Sequence, residues 1–325
     1  MKMNRIGILL AVVGLGGLDL GAACPTTLNV GFQVARFGSV TTAVWYPTEK
    51  DEAPYKYSIK TKGSIALNAA PAHCGVFPMV VFSHGFMGCG TQSVFITEQL
   101  ARQGFVVAAP DHADAACTSD GPGFRIPPRP QVSFRKPNAW TDQTYVDRRQ
   151  DIGNVITGML ASPVFGKIVN PGEIAGMGHS LGGYTILGMI GGWPSWKDPR
   201  IKSALLLSPY VEPFEAQNTV GKIGVPVMYQ GGTLDFGITP KLAGVYDQTP
   251  SPKFFAELRK AGHFAWTNLA CSKAGNVGNC LSTVPNAALI DQYGVAFFDS
   301  TVLREAEPLL IGSGAGLADY RHSVK

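Results

Sequence analysis

The chain is poor in charge. Asp, Glu, Lys and Arg make up 15% of its 325 residues, and 27 basic side chains face 23 acidic ones, for a formal net charge of +4. No basic cluster is present, which argues against a nucleic-acid partner. No apolar run is long enough to span a bilayer; the best, Ile6 to Leu18, is short and broken by glycine. Gly88-Cys89-Gly90 lacks the later glycine of a dinucleotide fingerprint. There is no internal repeat and no domain linker. What remains is a chain with 45% hydrophobic residues, enough for one large core.

The first residues stand apart from that core. Lys2 and Arg5 precede the apolar run, and Gly21-Ala22-Ala23 supplies small residues for cleavage. Residues 1–23 are therefore expected to be a secretory signal peptide, with residues 24–325 forming a single catalytic domain. The protein is then exported, to the periplasm or the medium. Lipidation at Cys24 is the less favoured alternative, because Gly21 stands where a lipobox favours leucine. Export makes the six cysteines legible as disulfide partners. Cys271 and Cys280 flank a glycine-rich loop and are expected to pair. Cys89 and Cys117 follow strands expected to be neighbours, which would leave Cys24 with Cys74. Six cysteines allow fifteen connectivities, so the pairing of these four stays open.

Asn29–Phe37 and Val40–Tyr46 alternate as two opening antiparallel strands joined near Gly38. Apolar runs at Met79–Ser83, Phe105–Ala109, Ile174–Met177, Ala204–Ser208, Pro226–Gly232 and Lys253–Leu258 read as further strands. Ser93–Gln103 reads as a helix ending at Gly104. Ile152, Val155, Ile156, Met159 and Leu160 repeat at helical spacing, as do Leu289, Ile290, Tyr293, Ala296 and Phe297 in the segment 286–298. Strands alternating with helices imply an α/β fold, a mostly parallel sheet covered on both faces. Residues 113–144, rich in Pro and Gly, form an insertion of the length that serves as a site rim or lid. The end of the chain, with His322, reads as a frayed polar tail.

Within this frame Gly178-His179-Ser180-Leu181-Gly182 is the most informative stretch. It is a G-x-S-x-G pentapeptide between a strand and a helix, the setting of a nucleophile elbow. A serine hydroxyl needs a base held by a third group. Of the six histidines only His263, in Ala261-Gly262-His263, lies downstream of Ser180 in a structured setting. Asp235 follows the Pro226–Gly232 strand segment, at its carboxyl end, and is the expected acid; Glu212, after the earlier strand, is the runner-up. The backbone N–H groups of Phe86, in Ser83-His84-Gly85-Phe86, and of Leu181 are the expected oxyanion donors. His84 is expected to shape its loop rather than act as a base. Phe86, Tyr210, Phe264 and Trp266 are candidates for a substrate pocket. Asp111, His112 and Asp114 are read as turn formers rather than metal ligands, so no metal is expected.

These motifs together resemble an α/β-hydrolase across nearly the whole chain after the signal peptide. Ser83-His84-Gly85-Phe86, the Phe105–His112 strand and loop, and Gly178-His179-Ser180-Leu181-Gly182-Gly183 resemble bacterial esterases of the dienelactone-hydrolase-like and platelet-activating-factor-acetylhydrolase-like group. Gly231-Gly232-Thr233-Leu234-Asp235 and Ala261-Gly262-His263 are similar to cutinase-type polyester hydrolases. The acetylhydrolases carry their acid after the earlier strand, where this chain has Ser208-Pro209-Tyr210. The resemblance implies an α/β-hydrolase fold and a cofactor-free serine hydrolase of carboxylic esters, small or polymeric, with no obligate protein partner and a monomeric state. Acyl transfer, peptide hydrolysis and haloperoxidase chemistry are alternatives on the same frame. A binding module that has lost its chemistry is another, disfavoured because no triad member is missing.

Overall fold

The computed structural model describes Cys24, residues 28–126 and residues 129–324; the expected signal peptide lies outside the described residues. β1 (Asn29–Phe37) and β2 (Val40–Thr48) pair antiparallel around Gly38, whose φ of 64° suits glycine. A hairpin that the sequence pattern did not announce follows, β3 (Ala53–Lys56) and β4 (Lys62–Leu67). Next come β5 (Phe77–Ser83), α1 (Val94–Arg102) and β6 (Val106–Pro110). Inside the 113–144 insertion, β7 (Cys117–Thr118) and β8 (Gly121–Phe124) make a separate two-stranded sheet. α2 (Val146–Ala161), β9 (Val169–His179), α3 (Leu181–Leu187) and β10 (Ile201–Leu207) form the middle of the chain. The remainder is α4 (Glu212–Ala216), β11 (Val227–Gly232), α5 (Thr239–Gln248), β12 (Lys253–Leu258), α6 (Val277–Thr283), α7 (Pro285–Phe298) and β13 (Leu317–Ser323).

One eleven-stranded sheet runs in the order β13-β12-β11-β10-β9-β5-β6-β2-β1-β4-β3. Its centre, from β12 to β6, is parallel throughout. Strands β5, β6 and β11 are buried at every position, which is why they read as continuous apolar runs rather than alternations. The two-residue period still sorts their side chains. Met79 and Val81 enter one core; Val80 and Phe82 enter the other. The α2 stripe Ile152, Val155, Ile156 and Met159 fills the first core, with Leu160 at its margin. On α7, Ile290, Tyr293, Ala296 and Phe297 fill the second, with Leu289 at its margin. Each fully buried large side chain contributes roughly 1.5–3 kcal/mol relative to exposure.

The expected frayed tail is instead the edge strand β13. It pairs antiparallel with β12, placing His322 opposite Phe254, with the two rings stacked 6.5 Å apart. Its polar pattern hid it, because an outermost strand can carry charge on its open side. What orders it is the free edge of β12. Parallel strands deliver their carboxyl ends to one side of the sheet, so Ser83, Asp111, Ser180, Ser208 and Asp235 all emerge on the same side.

All six cysteines are paired: Cys24–Cys74, Cys89–Cys117 and Cys271–Cys280. Such bonds persist in oxidising compartments, the setting that export would provide. The Cys24 sulfur is thereby taken, which leaves it no valence for a lipid. Among the described residues no helix is long and apolar enough to cross a membrane.

Candidate active site

Ser180 sits between β9 and α3 with φ 53° and ψ −115°, a left-handed conformation costly for a residue with a Cβ. Its neighbours show why the turn needs glycine. A Cβ on Gly178 would lie 2.3 Å from the Gly182 carbonyl oxygen, and one on Gly182 would lie 1.8 Å from that of Ser83. The strand, the helix and the loop after β5 therefore approach at backbone contact. Leu181 opens α3, so its N–H has no acceptor within the helix.

The loops after β11 and β12 bring two further groups to the serine. The Ser180 hydroxyl donates to His263 Nε2 at 2.9 Å, and His263 Nδ1–H donates to Asp235 Oδ2 at 2.8 Å. Asp235 is buried, whereas Ser180 and His263 are half-buried. Burial pushes the Asp235 carboxyl up, but hydrogen bonds from His263 and Ser208 outweigh it and hold the group below its ordinary value. Glu212 is not at His263. It opens α4 on the cleft wall, 3.9 Å from Lys241 Nζ.

Ser208 is a member of this cluster that the sequence did not announce. It directly follows β10 with φ 44°, its hydroxyl donates to Asp235 Oδ2, and its oxygen lies 2.9 Å from His263 Nδ1. The available signal was its place, at the strand end where the runner-up acid was sought.

A second cluster lies under the loop that follows β5. The Ser83 hydroxyl donates to His112 Nε2 at 2.9 Å, and His112 Nδ1–H donates to Asp151 Oδ2 at 2.9 Å. Arg148, fully buried, donates to Ser83 Oγ at 3.3 Å, to the His84 carbonyl at 2.7 Å and to the Gly85 carbonyl at 3.3 Å. Its charge is met by Asp114, at 3.0 and 2.8 Å. The sequence signal for Arg148 was overlooked: it lies one turn ahead of Ile152, in phase with the buried α2 stripe. His84 shapes its loop, as expected. Its Nε2 accepts the His112 backbone N–H at 3.0 Å, and its Nδ1–H donates to the Gly85 carbonyl at 2.7 Å. Burial first, then Arg148, holds both His84 and His112 far below the usual imidazole range, so the His112–Asp151 contact is a hydrogen bond from a neutral ring. Asp111 accepts from the Gly90 and Ser119 amides, both at 2.8 Å, and from the Ser119 hydroxyl, as a turn former does. The three residues weighed as metal ligands thus each have separate partners.

A cleft of about 1050 Å³ opens over Ser180 and His263. Phe86, Phe134 and Tyr210 form an edge-to-face aromatic wall, with centroids 5.7 and 5.2 Å apart. Phe134 and Thr118 come from the 113–144 insertion, which forms part of the rim. Phe264 also lines the cleft, 59% exposed. Trp266 does not line this cleft, contrary to expectation. It is fully buried, its indole N–H bonded to Gln230 Oε1 at 2.9 Å and its carbonyl accepting from Ser93. Position three residues past His263 gave no guide to direction, because the loop turns back into the core there. Met87, the Tyr57–Thr61 segment and Gln92 also line the cleft and were missed.

Residues 57–125 match the family described as platelet-activating factor acetylhydrolase, isoform II. Cutinase est2 of Thermobifida alba is 27% identical over 199 residues, 60% of this chain and 55% of that protein. Cutinase est1 of the same organism is 26% identical over 199 residues, 60% of this chain and 56% of that protein. The match thus spans little more than half the length of these relatives. The fold is that of an α/β-hydrolase. In chain order Ser180 follows β9, Asp235 follows β11 and His263 follows β12.

Proposed function

We propose that this protein is an exported serine hydrolase of carboxylic esters, carried by residues 24–325 as one catalytic domain. The observation that carries the reading is the hydrogen-bonded chain Ser180–His263–Asp235, at 2.9 and 2.8 Å, opening on a largely apolar cleft. Ser180 attacks the ester carbonyl while His263 takes its proton. Asp235 fixes the tautomer and stabilises the imidazolium that forms. The Phe86 and Leu181 N–H groups hold the oxyanion, each donor worth ~2.7–4 kcal/mol in the transition state. The alcohol leaves with the proton from His263. Water, activated by the same ring, then releases the acyl group. The chain's own residues supply each of these steps, with no cofactor invoked.

The rim speaks to the substrate. Ile59, Met87, Phe264 and Leu269 are exposed large apolar residues around the cleft, and Leu234 and Phe236 flank Asp235. Apolar side chains gathered on one rim favour esters with apolar acyl or alcohol parts, including chains presented at a surface. Incubation with p-nitrophenyl acetate and butyrate, with and without a fluorophosphonate, tests the reading. Turnover that is lost as Ser180 becomes labelled is the expected result. No turnover and no label at Ser180 would remove it.

A further inference from the structure

His179, inside the elbow, takes no part in the proposed reaction. It is 2% exposed and sits with its ring 5.0 Å from that of His263 and 6.4 Å from that of Trp266. Both ring nitrogens are engaged. Nε2 lies 2.8 Å from the backbone carbonyl of His263; a carbonyl only accepts, so Nε2 carries the hydrogen. Nδ1 then accepts from the Gln92 side-chain amide at 3.1 Å. The other end of that amide, Oε1, accepts the Gly85 backbone N–H at 3.0 Å. Burial first, then the neighbouring His263, lowers the imidazole to about 3, so the ring is neutral and this tautomer is fixed.

The bridge thus runs from the base loop, through the elbow, to the loop that presents Phe86. The surrounding sequence leaves room for it. A Cβ on Gly85 would lie 2.9 Å from His179 Nδ1, and one on Gly88 would lie 2.2 Å from Gln92 Oε1. Asn268 stitches the same two loops together a second time. Its backbone N–H donates to the Gln92 carbonyl at 2.8 Å and its side chain donates to the Thr91 carbonyl at 2.7 Å.

We propose that His179, acting through Gln92, is a positioning residue that sets the distance between the base His263 and the oxyanion donor Phe86. This rests on the esterase reading above. A residue with this role is felt in the transition state, where base and oxyanion donor act together, and little in ground-state binding. The loss therefore falls on kcat and leaves KM alone.

The test uses the full chain with p-nitrophenyl butyrate and measures kcat, KM and melting temperature. In His179→Gln the amide nitrogen replaces Nε2 as donor to the His263 carbonyl; in His179→Asn and His179→Phe that donor is gone. The expected result is a kcat ~10–100-fold lower for the Asn and Phe variants at unchanged KM, as a displacement of about 1 Å produces. His179→Gln should recover to within about threefold of wild type. Gln92→Leu should lower kcat in the same way, and His179→Phe/Gln92→Leu should lose little more than the worse single variant. If His179→Phe does not fold, the Asn–Gln pair decides. The proposal is overturned if folded variants keep kcat, if the loss falls in KM, or if Gln does no better than Asn. A wild type that turns over no ester defeats the esterase reading instead. The rate of fluorophosphonate labelling at Ser180 then carries the same comparison, and absence of both turnover and labelling overturns both.

Discussion

Two Ser–His–Asp chains of nearly equal dimensions lie on the same side of this sheet. In one, Ser180, His263 and Asp235 are linked at 2.9 and 2.8 Å; in the other, Ser83, His112 and Asp151 are linked at 2.9 and 2.9 Å. Their surroundings differ in every respect that matters for chemistry. Ser180 is held in a left-handed turn at the mouth of a cleft, beside the first amide of a helix, which has no acceptor within that helix. Ser83 ends a strand in ordinary backbone, is fully buried, and has Arg148 on its oxygen. A guanidinium there opposes the protonation of His112 that proton transfer from the serine would require. Distances alone do not make a nucleophile. Access, an aimed oxyanion site and room for charge on the histidine do.

The sharpest way to break this comparison is to remove each serine. Ser180→Ala should lower kcat by on the order of 10⁶, and Ser83→Ala should leave it within a few-fold. Steady-state rates together with peptide mapping of the fluorophosphonate adduct give the answer. Label at Ser83, or full activity in Ser180→Ala, would collapse the distinction. The acids come next. Asp235→Asn should fold normally and lower kcat by up to ~10⁴ through the wrong tautomer of His263. Asp151→Asn and Glu212→Gln should each stay within a few-fold of wild type. A loss in Glu212→Gln exceeding that in Asp235→Asn would move the acid to the strand before.

Much of the first cluster was legible in the sequence because its members sit at strand ends and in a motif whose glycines are sterically required. The G-x-S-x-G spacing, the order Ser, Asp, His and the glycines at 231 and 232 all leave marks in the chain. The parallel core was legible for a related reason: fully buried strands are continuous apolar runs. The second cluster left only scattered marks, since Ser83, His112, Asp114 and Arg148 are common residue types brought together by tertiary packing alone. Arg148 and Ser208 occupy informative positions with uninformative identities. β13 and the β3–β4 hairpin were missed because peripheral strands need no apolar alternation, and Trp266 because loop direction is set by what the loop packs against. The pairing of four cysteines was open in the sequence and is decided by which strand ends are neighbours.

Arg148 is where the second cluster has its largest effect. Arg148→Met would leave Asp114 buried without its counter-charge and release the His84 and Gly85 carbonyls. Breaking a buried pair from one side costs about 3–5 kcal/mol. Urea unfolding at neutral pH should show a loss of that size; a loss below about 1 kcal/mol would mean that solvent already screens the pair. A smaller effect is expected where the first cluster is braced. Cys271–Cys280 closes a short loop just beyond His263. Replacing both by serine should cost ~2–3 kcal/mol by the loop-entropy relation. If the bond also steadies His263, kcat falls with it. An unchanged kcat at a lowered melting temperature would confine the bond to stability.

The two acids should also oppose each other in their response to pH. Asp235 is held below its ordinary carboxylate value, so in the folded state it releases its proton earlier than in the unfolded chain. Its contribution to stability is complete above the unfolded value and is lost as pH falls through the folded one. Asp151 is pushed the other way, to about 6, by burial, with Asp114 adding to it and Arg148 opposing. Between the ordinary value of 3.8 and about 6 the folded state holds this proton and the unfolded chain does not. Stability contributed at Asp151 therefore falls as pH rises through that window. Asp151→Asn keeps an acceptor for His112 Nδ1–H and removes the titration. Relative to wild type it should gain stability between pH 4 and pH 7, by about 1–2 kcal/mol once partial exposure of the carboxylate is allowed for. Urea unfolding of both proteins across that range measures the difference. A gap that does not change with pH would mean that Asp151 titrates alike in the folded and unfolded chain; one that changes in the opposite sense would mean that Asp151 is ionised against a protonated His112. The second chain would then be an ion pair and its histidine could carry charge, which removes one of the features that set it apart from the chain at Ser180.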